Sequence, residues 1–486
     1  MGLPSAENQQ NVPMNIVIPP DIMNKFLSVK IRCQSPWCVG LLLLLMALPF
    51  SLSDCASDQP DEPAAYRQAT AIALAWNHLL LDLERYTPGY RAPVSARMFA
   101  YVELAGYEAA WPALKNYAAP STFCAGYPGA QLCSMPADYC LPAGLNAAYA
   151  QVFRDFFPNA PQAYLDKIGA LENTHFHSLQ RTVSDDVLQR SAVYGRQVAK
   201  SVWNWSATDL AGHNGFLYNY DQRYTAPRCP GGWQPSDDHA MPALLPGWGT
   251  VRTFVVGPDQ ATSRPPVAFS EAPGSVFHTE ALEVFSMSQS LSKENRWIAE
   301  FWSDDLPGLT LSPAGRWISI TNQAVVQARL PFPKVMETYL KIGLAICDAA
   351  VICWNSKYKY NVERPETYIR RVVQPGWSPL HAAPSFPAYP SGHAMFGAAA
   401  AGVLTAACGS QFQMTDYTHE SRREFAGMPR SFRSFAEMAQ ENAFSRVAIG
   451  VHYRMDCEEG LRLGKLIGQK IVALPLRQEA ATALQQ

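Results

Sequence analysis

Three short stretches in the last 130 residues carry side chains that could hold an anion and move a proton. The first, "KYKYNVERP", contains Lys357 and Arg364, which are seven residues apart. On one helix this spacing is close to two turns, so both cations would project from the same face. Two cations on one side favour an anion, although a solvated basic face is the simpler alternative.

The second stretch, "FPAYPSGHAMFGAAAAGVLTAACG", places Ser391, Gly392 and His393 immediately ahead of a run of small apolar residues. Serine is a good helix cap, and glycine allows close backbone approach. A helix that begins here would aim free N–H groups and its positive dipole end at an anion, with His393 in its first turn. The run 394–409 has 16 residues, too few for a membrane span, and predicts a tightly packed core helix.

The third stretch, "SRVAIGVHYRMD", contains Arg446, His452 and Asp456. A histidine that acts as a nucleophile or metal ligand needs a partner on its other ring nitrogen, which fixes the tautomer. Asp456 lies four residues after His452, so it is placed to be that partner.

Helical periodicity dominates the elements that must position these residues, and alternating β-branched runs are scarce. The sequence therefore predicts a mainly α fold of helical bundles, with a C-terminal bundle carrying the oxyanion site. The predicted helices cover 64–85, 144–156, 161–181, 185–204, 279–303, 322–356, 393–408, 431–450 and 457–474.

Composition shifts divide the chain into four parts. Residues 1–60 read as a signal peptide or lipoprotein leader with a tether, because basic residues precede a short apolar core and Cys55 follows it. This predicts an exported protein, periplasmic or secreted, whose only membrane attachment would be a lipid anchor. Residues 61–207 form an N-terminal helical half, 208–275 an irregular connection rich in Gly and Pro, and 276–486 the C-terminal bundle.

The net charge of -2 provides no global field to attract nucleic acid, so an anion site must be a local cluster. Zinc has no support, since neither a Cys-x-x-Cys pair nor a His-Glu-x-x-His motif occurs. In an exported chain, the crowded Cys124, Cys133 and Cys140 predict one disulfide of undetermined pairing.

The ordered set of Lys, Arg-Pro, Ser-Gly-His, Ser-Arg, His and Asp resembles the signature of the type-2 phosphatidic acid phosphatase superfamily. That superfamily contains acid phosphatases, lipid phosphatases and vanadium-dependent haloperoxidases. Further details are most similar to the haloperoxidases. Trp354 stands three residues before Lys357, and Phe386 stands seven before His393. "FWSDD" supplies Asp304 and Asp305, like the acidic position that pairs with the vanadate-binding arginine in those enzymes.

The resemblance implies a vanadium-dependent haloperoxidase that oxidises halide with hydrogen peroxide and halogenates a small organic acceptor. It implies vanadium bonded to His452, His393 as the acid–base group, and Trp354 and Phe386 on the halide side, where simple core packing is an equal alternative. The remaining vanadate contacts would come from Lys357, Arg364, Ser391, Gly392 and Arg446. A homodimer is a further expectation.

The same cradle suits phosphate, which shares the charge and shape of vanadate. The alternative is an exported acid phosphatase in which His452 attacks phosphorus and His393 protonates the leaving alcohol. A third reading is an oxyanion-binding protein without chemistry, which would have little need for two histidines. His381, twelve residues before His393, is an outside candidate for the pocket.

Overall fold

Helices account for most of the residues that the structure describes. This computed structural model describes residues 62–129, 134–235, 241–304, 306, 308–422 and 427–477, and within them lie thirteen α-helices and four short strands. The first five helices are α1 (Ala64–Tyr86), α2 (Ala92–Ala110), α3 (Leu141–Phe156), α4 (Gln162–Leu179) and α5 (Asp185–Ala207). The predicted mainly α fold is confirmed.

The remaining helices build the C-terminal part. They are α6 (Val276–Gln289), α7 (Lys293–Phe301), α8 (Pro313–Gln327), α9 (Phe332–Tyr360), α10 (Pro365–Val372), α11 (Gly392–Cys408), α12 (Phe435–Ile449) and α13 (Arg454–Val472). The four strands form two antiparallel pairs, β1 (Tyr220–Asp221) with β2 (Ala243–Leu244) and β3 (Met414–Asp416) with β4 (Arg430–Phe432).

Three helix predictions were wrong in detail. The predicted helix 279–303 is two helices, because the chain breaks after Gln289 and Ser292 caps α7. The predicted helix 322–356 is also two, with Arg329 in the left-handed region and Pro331 ahead of α9. Helix α2 was missed because every one of its residues is buried, so it has no polar face to create a recognisable period.

Helix α11 packs closely against α13 through small residues, as the Ala/Gly run predicted. A Cβ on Gly464 would lie 2.3 Å from the Met395 carbonyl oxygen, and one on Gly460 would lie 2.6 Å from that of Ser391. Larger residues at these positions would push the two backbones apart. This close contact brings the start of α11 to the start of α13, where the Ser391 N–H donates to the Asp456 carbonyl oxygen at 2.9 Å.

The connection between α5 and α6 is irregular, and its described residues, which leave out 236–240, contain only β1, β2 and one short 3₁₀ turn, Trp248–Thr250. Its path is fixed by the buried Asp348 of α9, whose carboxylate accepts from the backbone N–H groups of Phe254, Val255 and Val256 at 2.7–2.9 Å. Side chains from every helix except α6 and α10 share one main hydrophobic core, and α6 and α10 contribute to a second cluster. The division at 61–207, 208–275 and 276–486 stays a prediction.

Two other sequence interpretations concern the leader and the cysteines. The leader at 1–60 lies outside the described residues. Cys124 and Cys140 are free thiols, so the disulfide predicted for their loop is not formed, and Cys133 is outside the described residues. None of the helices in the described ranges has both the length and the hydrophobicity needed to cross a membrane.

Candidate active site

A cavity of about 290 Å³ opens where several helix ends of the C-terminal part converge. The ends of α9 and α12 and the starts of α10, α11 and α13 all border it. Of the residues singled out from the sequence, those that line it are Asp304, Trp354, Arg364, Phe386, Gly392, His393, Arg446 and His452. The structure thus brings together residues that are up to 148 positions apart, from 304 to 452.

Lys357 and Arg364 do not lie on one helix, which corrects the argument from their spacing. Helix α9 ends three residues after Lys357, because Asn361 adopts a left-handed conformation with φ 49°. Arg364 is the residue that precedes α10. Both side chains nevertheless reach one region, since the turn between the helices folds Arg364 back towards Phe386.

The ammonium of Lys357 is buried and surrounded by carbonyl oxygens. It donates to Pro387, Ala388 and Pro390 at 2.7–3.0 Å, which occupies its three protons. In this arrangement Lys357 holds the loop before α11 and adds positive charge to the site. Burial lowers its pKa.

The guanidinium of Arg364 is held by the protein on one side and open on the other. Its Nε donates to the Phe386 carbonyl oxygen at 2.9 Å, and its Nη1 donates to that of Val451 at 2.8 Å. Nη2 is buried and has no hydrogen-bond partner among the residues that the structure describes. A buried guanidinium N–H without a partner beside a cavity is a donor suited to an anion.

The start of α11 has the predicted geometry. The hydroxyl of Ser391 accepts from the Ala394 N–H at 3.5 Å, so Ser391 is the N-cap. Gly392 and His393 follow on the cavity wall. The Nε2 atom of His393 is buried and has no partner in the described part of the chain, and the helix dipole adds positive potential at this point.

His452 has the carboxylate partner that the sequence predicted. Its Nδ1 lies 2.9 Å from Oδ2 of Asp456, which also accepts from the Tyr453 N–H at 3.0 Å. Because a carboxylate accepts, the proton resides on Nδ1 and the lone pair on Nε2. Nε2 lies 3.2 Å from Nη1 of Arg364.

Both cavity histidines are neutral. Burial, reinforced by the nearby cations Lys357, Arg364 and Arg446, lowers the pKa of His393 and of His452 well below the usual value. A neutral imidazole can bind a metal or accept a proton. Positive charge in the site comes therefore from the lysine and the two arginines.

Arg446 and Asp304 lie on the α7 and α12 side of the cavity. Arg446 Nη1 donates to the Trp302 carbonyl oxygen at 2.7 Å. Asp304 Oδ1 lies 3.4 Å from Nη1 of Arg316, and burial raises the pKa of Asp304 to about 6. Asp305 lies outside the described residues. Pairing of this acidic position with Arg446 stays a prediction.

Sequence reasoning missed Arg316, the fully buried arginine behind Asp304. Its Nη2 lies 3.0 Å from Oδ2 of Asp416, and its side chain also contacts His419. The guanidinium carbon sits 4.5 Å from the centre of the Phe301 ring. No motif could have found Arg316, because its partners on β3 and in the following turn are about 100 residues away.

Trp354 and Phe386 form an aromatic wall with their ring centres 5.0 Å apart. The guanidinium carbon of Arg364 lies 4.8 Å, and the ammonium nitrogen of Lys357 5.0 Å, from the Phe386 ring centre. Trp354 Nε1 donates to the Leu244 carbonyl oxygen at 3.3 Å. His381 also lines the cavity, as suspected, and contacts Glu300.

This donor set fits a tetrahedral oxyanion such as vanadate or phosphate. Two buried nitrogen atoms without partners, Nη2 of Arg364 and Nε2 of His393, belong to side chains that line the cavity. Excess positive charge surrounds them, and the one imidazole with an oriented tautomer, His452, is adjacent. Hard nitrogen donors of this kind suit vanadate.

Comparisons with known proteins agree with this geometry. Residues 337–478 match the family model described as the VCPO second helical-bundle domain. A vanadium chloroperoxidase from Curvularia inaequalis is 22% identical over 515 residues, covering 82% of this chain and 80% of the relative.

Solved structures show the same fold. A bacterial vanadium-dependent iodoperoxidase has a TM-score of 0.76 and 26% identity, covering 85% of this chain and 98% of its own. A holo-type bacterial vanadium-dependent chloroperoxidase has a TM-score of 0.61 and 17% identity, covering 80% and 92%. The resemblance to the haloperoxidase branch of the superfamily, inferred from the motifs, is confirmed.

Proposed function

We propose that this chain, a relative of the vanadium-dependent haloperoxidases, oxidises halide with hydrogen peroxide at a vanadate bound to His452. The product would be hypohalous acid or an equivalent electrophile that halogenates a small organic acceptor. The main support is the cavity itself, where two buried nitrogen atoms without partners among the described residues, Arg364 Nη2 and His393 Nε2, lie beside the tautomer-fixed His452.

The vanadate contacts follow from the side chains that line the cavity. His452 would be the metal ligand through Nε2, because its Nδ1 proton is committed to Asp456. Arg364 would donate through Nη2, and Arg446 would balance charge from the opposite side. Gly392 offers a backbone N–H at the start of α11.

Two further members of the predicted cradle lie behind this inner set. Lys357 contributes charge from beneath the loop that it anchors. Ser391 caps α11 and so holds Gly392 and His393 at the wall. When bound, vanadate would supply Lewis-acid activation of hydrogen peroxide without a change in its own oxidation state.

His393 is the acid–base group in this proposal. Its neutral imidazole presents a buried Nε2 without a partner, so it can accept a proton from hydrogen peroxide. Such catalysis is commonly worth about 10²–10⁴-fold in rate. The helix start holds His393 in place, since its carbonyl oxygen accepts from Asn442 Nδ2 at 3.3 Å.

The halide would approach along the wall made by Trp354 and Phe386. Both rings are buried and exclude water, and two cations stand behind Phe386. A halide ion against this apolar wall would lose part of its water shell, and the positive charge of Lys357 and Arg364 would compensate for that loss. The named relatives include an iodoperoxidase and chloroperoxidases, so iodide, bromide and chloride must each be tested.

The direct experiment loads the purified protein with orthovanadate, adds hydrogen peroxide and each halide in turn, and follows halogenation of a phenolic indicator. We expect halogenation with at least one halide. His393→Gln should keep vanadate affinity and lose about 10²–10⁴-fold in rate. His177→Gln, on the exposed surface of α4, is the matched control and should match the wild type.

The same geometry supports one second candidate, an acid phosphatase. His452 Nε2 could attack phosphorus, since the same partners would hold a phosphate monoester. Absence of halogenation with every halide, together with phosphate-ester hydrolysis inhibited by vanadate, would replace the haloperoxidase by this enzyme. His452→Ala tests the third reading, because a pure oxyanion-binding protein would keep most of its phosphate affinity.

The location and assembly of the protein complete the proposal. The leader at 1–60 supports export to the periplasm or the medium, with a lipid anchor at Cys55 as the alternative to cleavage. The homodimer expected from the resemblance stays a prediction, which size-exclusion chromatography with light scattering tests.

A further inference from the structure

His381 is a third cavity histidine and sits at the rim rather than in the depth of the site. It belongs to the loop between α10 and α11 and lines the same cavity as His393 and His452. Its Nε2 lies 3.0 Å from Oε2 of Glu300, near the end of α7. The two side chains are 31% and 24% exposed, so solvent reaches the pair.

The loop that carries His381 is anchored. The preceding Leu380 donates its backbone N–H to the Ile449 carbonyl oxygen at 2.8 Å. Leu380 and Ala383 also pack against the apolar end of α12 and against Val451, which follows it. The imidazole is therefore held at one place on the rim, between solvent and the cavity.

The proposed reaction needs a proton in every turnover. Hydrogen peroxide, a halide ion and one proton give hypohalous acid and water. The O–O bond breaks, an O–X bond forms, the halide loses two electrons and the peroxide gains them. The two protons of the peroxide do not suffice, because hypohalous acid retains one and water retains two.

The buried groups of the cavity are poor sources of that extra proton. His393 and His452 are kept neutral by burial and by Lys357, Arg364 and Arg446. Burial raises the pKa of Asp304 to about 6, but its side chain is fully buried beside Arg316 and does not reach the solvent that would have to recharge it.

The other charged residues of the lining are no better placed. Glu366 is paired with Arg370 at 2.7 Å. The lining arginines Arg91, Arg364 and Arg446 keep their protons at ordinary pH.

We propose that His381, paired with Glu300, donates the proton that each turnover consumes and is recharged from solvent. The inference rests on the proposed haloperoxidase function and deepens it. Histidine exchanges protons between about pH 5 and 8, which suits such a relay. The Glu300 carboxylate, whose Oε2 lies 3.0 Å from Nε2 of His381, orients the ring.

The charges around the pair are consistent with this role. The hydrogen bond from His381, and after it Arg296 and Arg422, lowers the pKa of Glu300, so Glu300 is a carboxylate at neutral pH. From the cavity side the pair faces Asp304, Glu366, Arg91, Arg364 and Arg446. The negative charge of Glu300, which is hydrogen-bonded to the His381 imidazole, offsets the positive charge of the more distant arginines.

The first test measures kcat against pH for the vanadate-loaded wild type, His381→Gln, Glu300→Gln and the control His177→Gln. The His381→Gln rate should be near wild type at low pH, where hydronium supplies the proton, and should fall at least tenfold above neutral pH. Added imidazole should restore it. Glu300→Gln should lose rate at a lower pH than the wild type, because its imidazolium lacks a carboxylate partner.

A second measurement needs no turnover. In unloaded protein with ¹⁵N-labelled histidines, NMR follows the protonation of His381. The imidazolium should persist to higher pH in the wild type than in Glu300→Gln. Equal titration of the two proteins would overturn the pairing. A His381→Gln profile that matches the wild type, or a defect that imidazole leaves unchanged, would overturn the donor role.

These outcomes are separable from a failure of the proposed function. If the wild type oxidises no halide, the haloperoxidase proposal falls on that result alone, and the donor role falls with it. If the wild type is active and His381→Gln is equally active at every pH, only the proton-donor inference falls. Vanadate affinity should be equal in all four proteins.

Discussion

Arg364→Lys tests the role of Arg364 Nη2, a buried guanidinium nitrogen without a hydrogen-bond partner among the described residues. Arg364 Nε and Nη1 serve the carbonyl oxygens of Phe386 and Val451, whereas the buried Nη2 has no partner. A lysine would keep the charge, but its ammonium would serve those carbonyl oxygens as Lys357 serves three others. The variant therefore loses the donor aimed at the anion.

The size of the effect follows from that single donor. A hydrogen bond between charged groups contributes about 1.5–3 kcal/mol, and each 1.4 kcal/mol or so is a factor of ten in affinity. We expect Arg364→Lys to weaken orthovanadate binding roughly 10- to 150-fold. Rates at saturating vanadate should fall less.

Isothermal titration with orthovanadate measures this change directly, and thermal unfolding checks that the variant is folded. Arg462→Lys is the matched control, because Arg462 pairs with Glu459 outside the cavity. It should bind vanadate like the wild type. An Arg364→Lys affinity within twofold of wild type would refute the assignment of Nη2 as an anion donor.

Three further predictions concern other buried carboxyl groups. Asp456→Asn removes the charge that orients His452 and should weaken vanadate binding about 10- to 100-fold by titration; unchanged affinity would contradict the orienting role. Asp348→Ala leaves three backbone N–H groups of the irregular connection without their acceptor. Urea unfolding should show a free energy of unfolding lower by about 3 kcal/mol or more. A loss below about 1 kcal/mol would show that contacts other than those with Asp348 hold the connection in place. Burial raises the pKa of Glu103 from 4.5 to about 8, so the folded protein holds a proton that the unfolded chain releases, and stability should fall as pH rises from about 4.5 to about 8. Glu103→Gln should flatten that slope in urea unfolding at several pH values, and an unchanged slope would argue against it.

Local features of the site were predictable from the sequence. Ser391 as a helix cap, the packed Ala/Gly helix behind it and the contact between His452 and Asp456 each depend on residues within a few positions of one another. Helix geometry relates such neighbours directly, so spacing carries the information. The resemblance to haloperoxidases depended on the same short motifs.

Contacts between distant segments were decided by the tertiary structure. The Lys357 and Arg364 side chains meet because α9 stops and the chain turns, whereas the spacing argument had placed both on one helix. Arg316 behind Asp304, and the path of the irregular connection over Asp348, involve partners about 90 to 100 residues away.

The physical reason is that the sequence by itself determines local geometry, whereas the relative placement of helices depends on how buried surfaces fit. Close packing of α11 on α13 sets the distance between His393 and His452, and it depends on glycines such as Gly464 that face another backbone. His381 reaches the cavity rim because its loop is tied to the end of α12. Residue types therefore predicted the chemistry, and packing between helices decided which of those residues share one cavity.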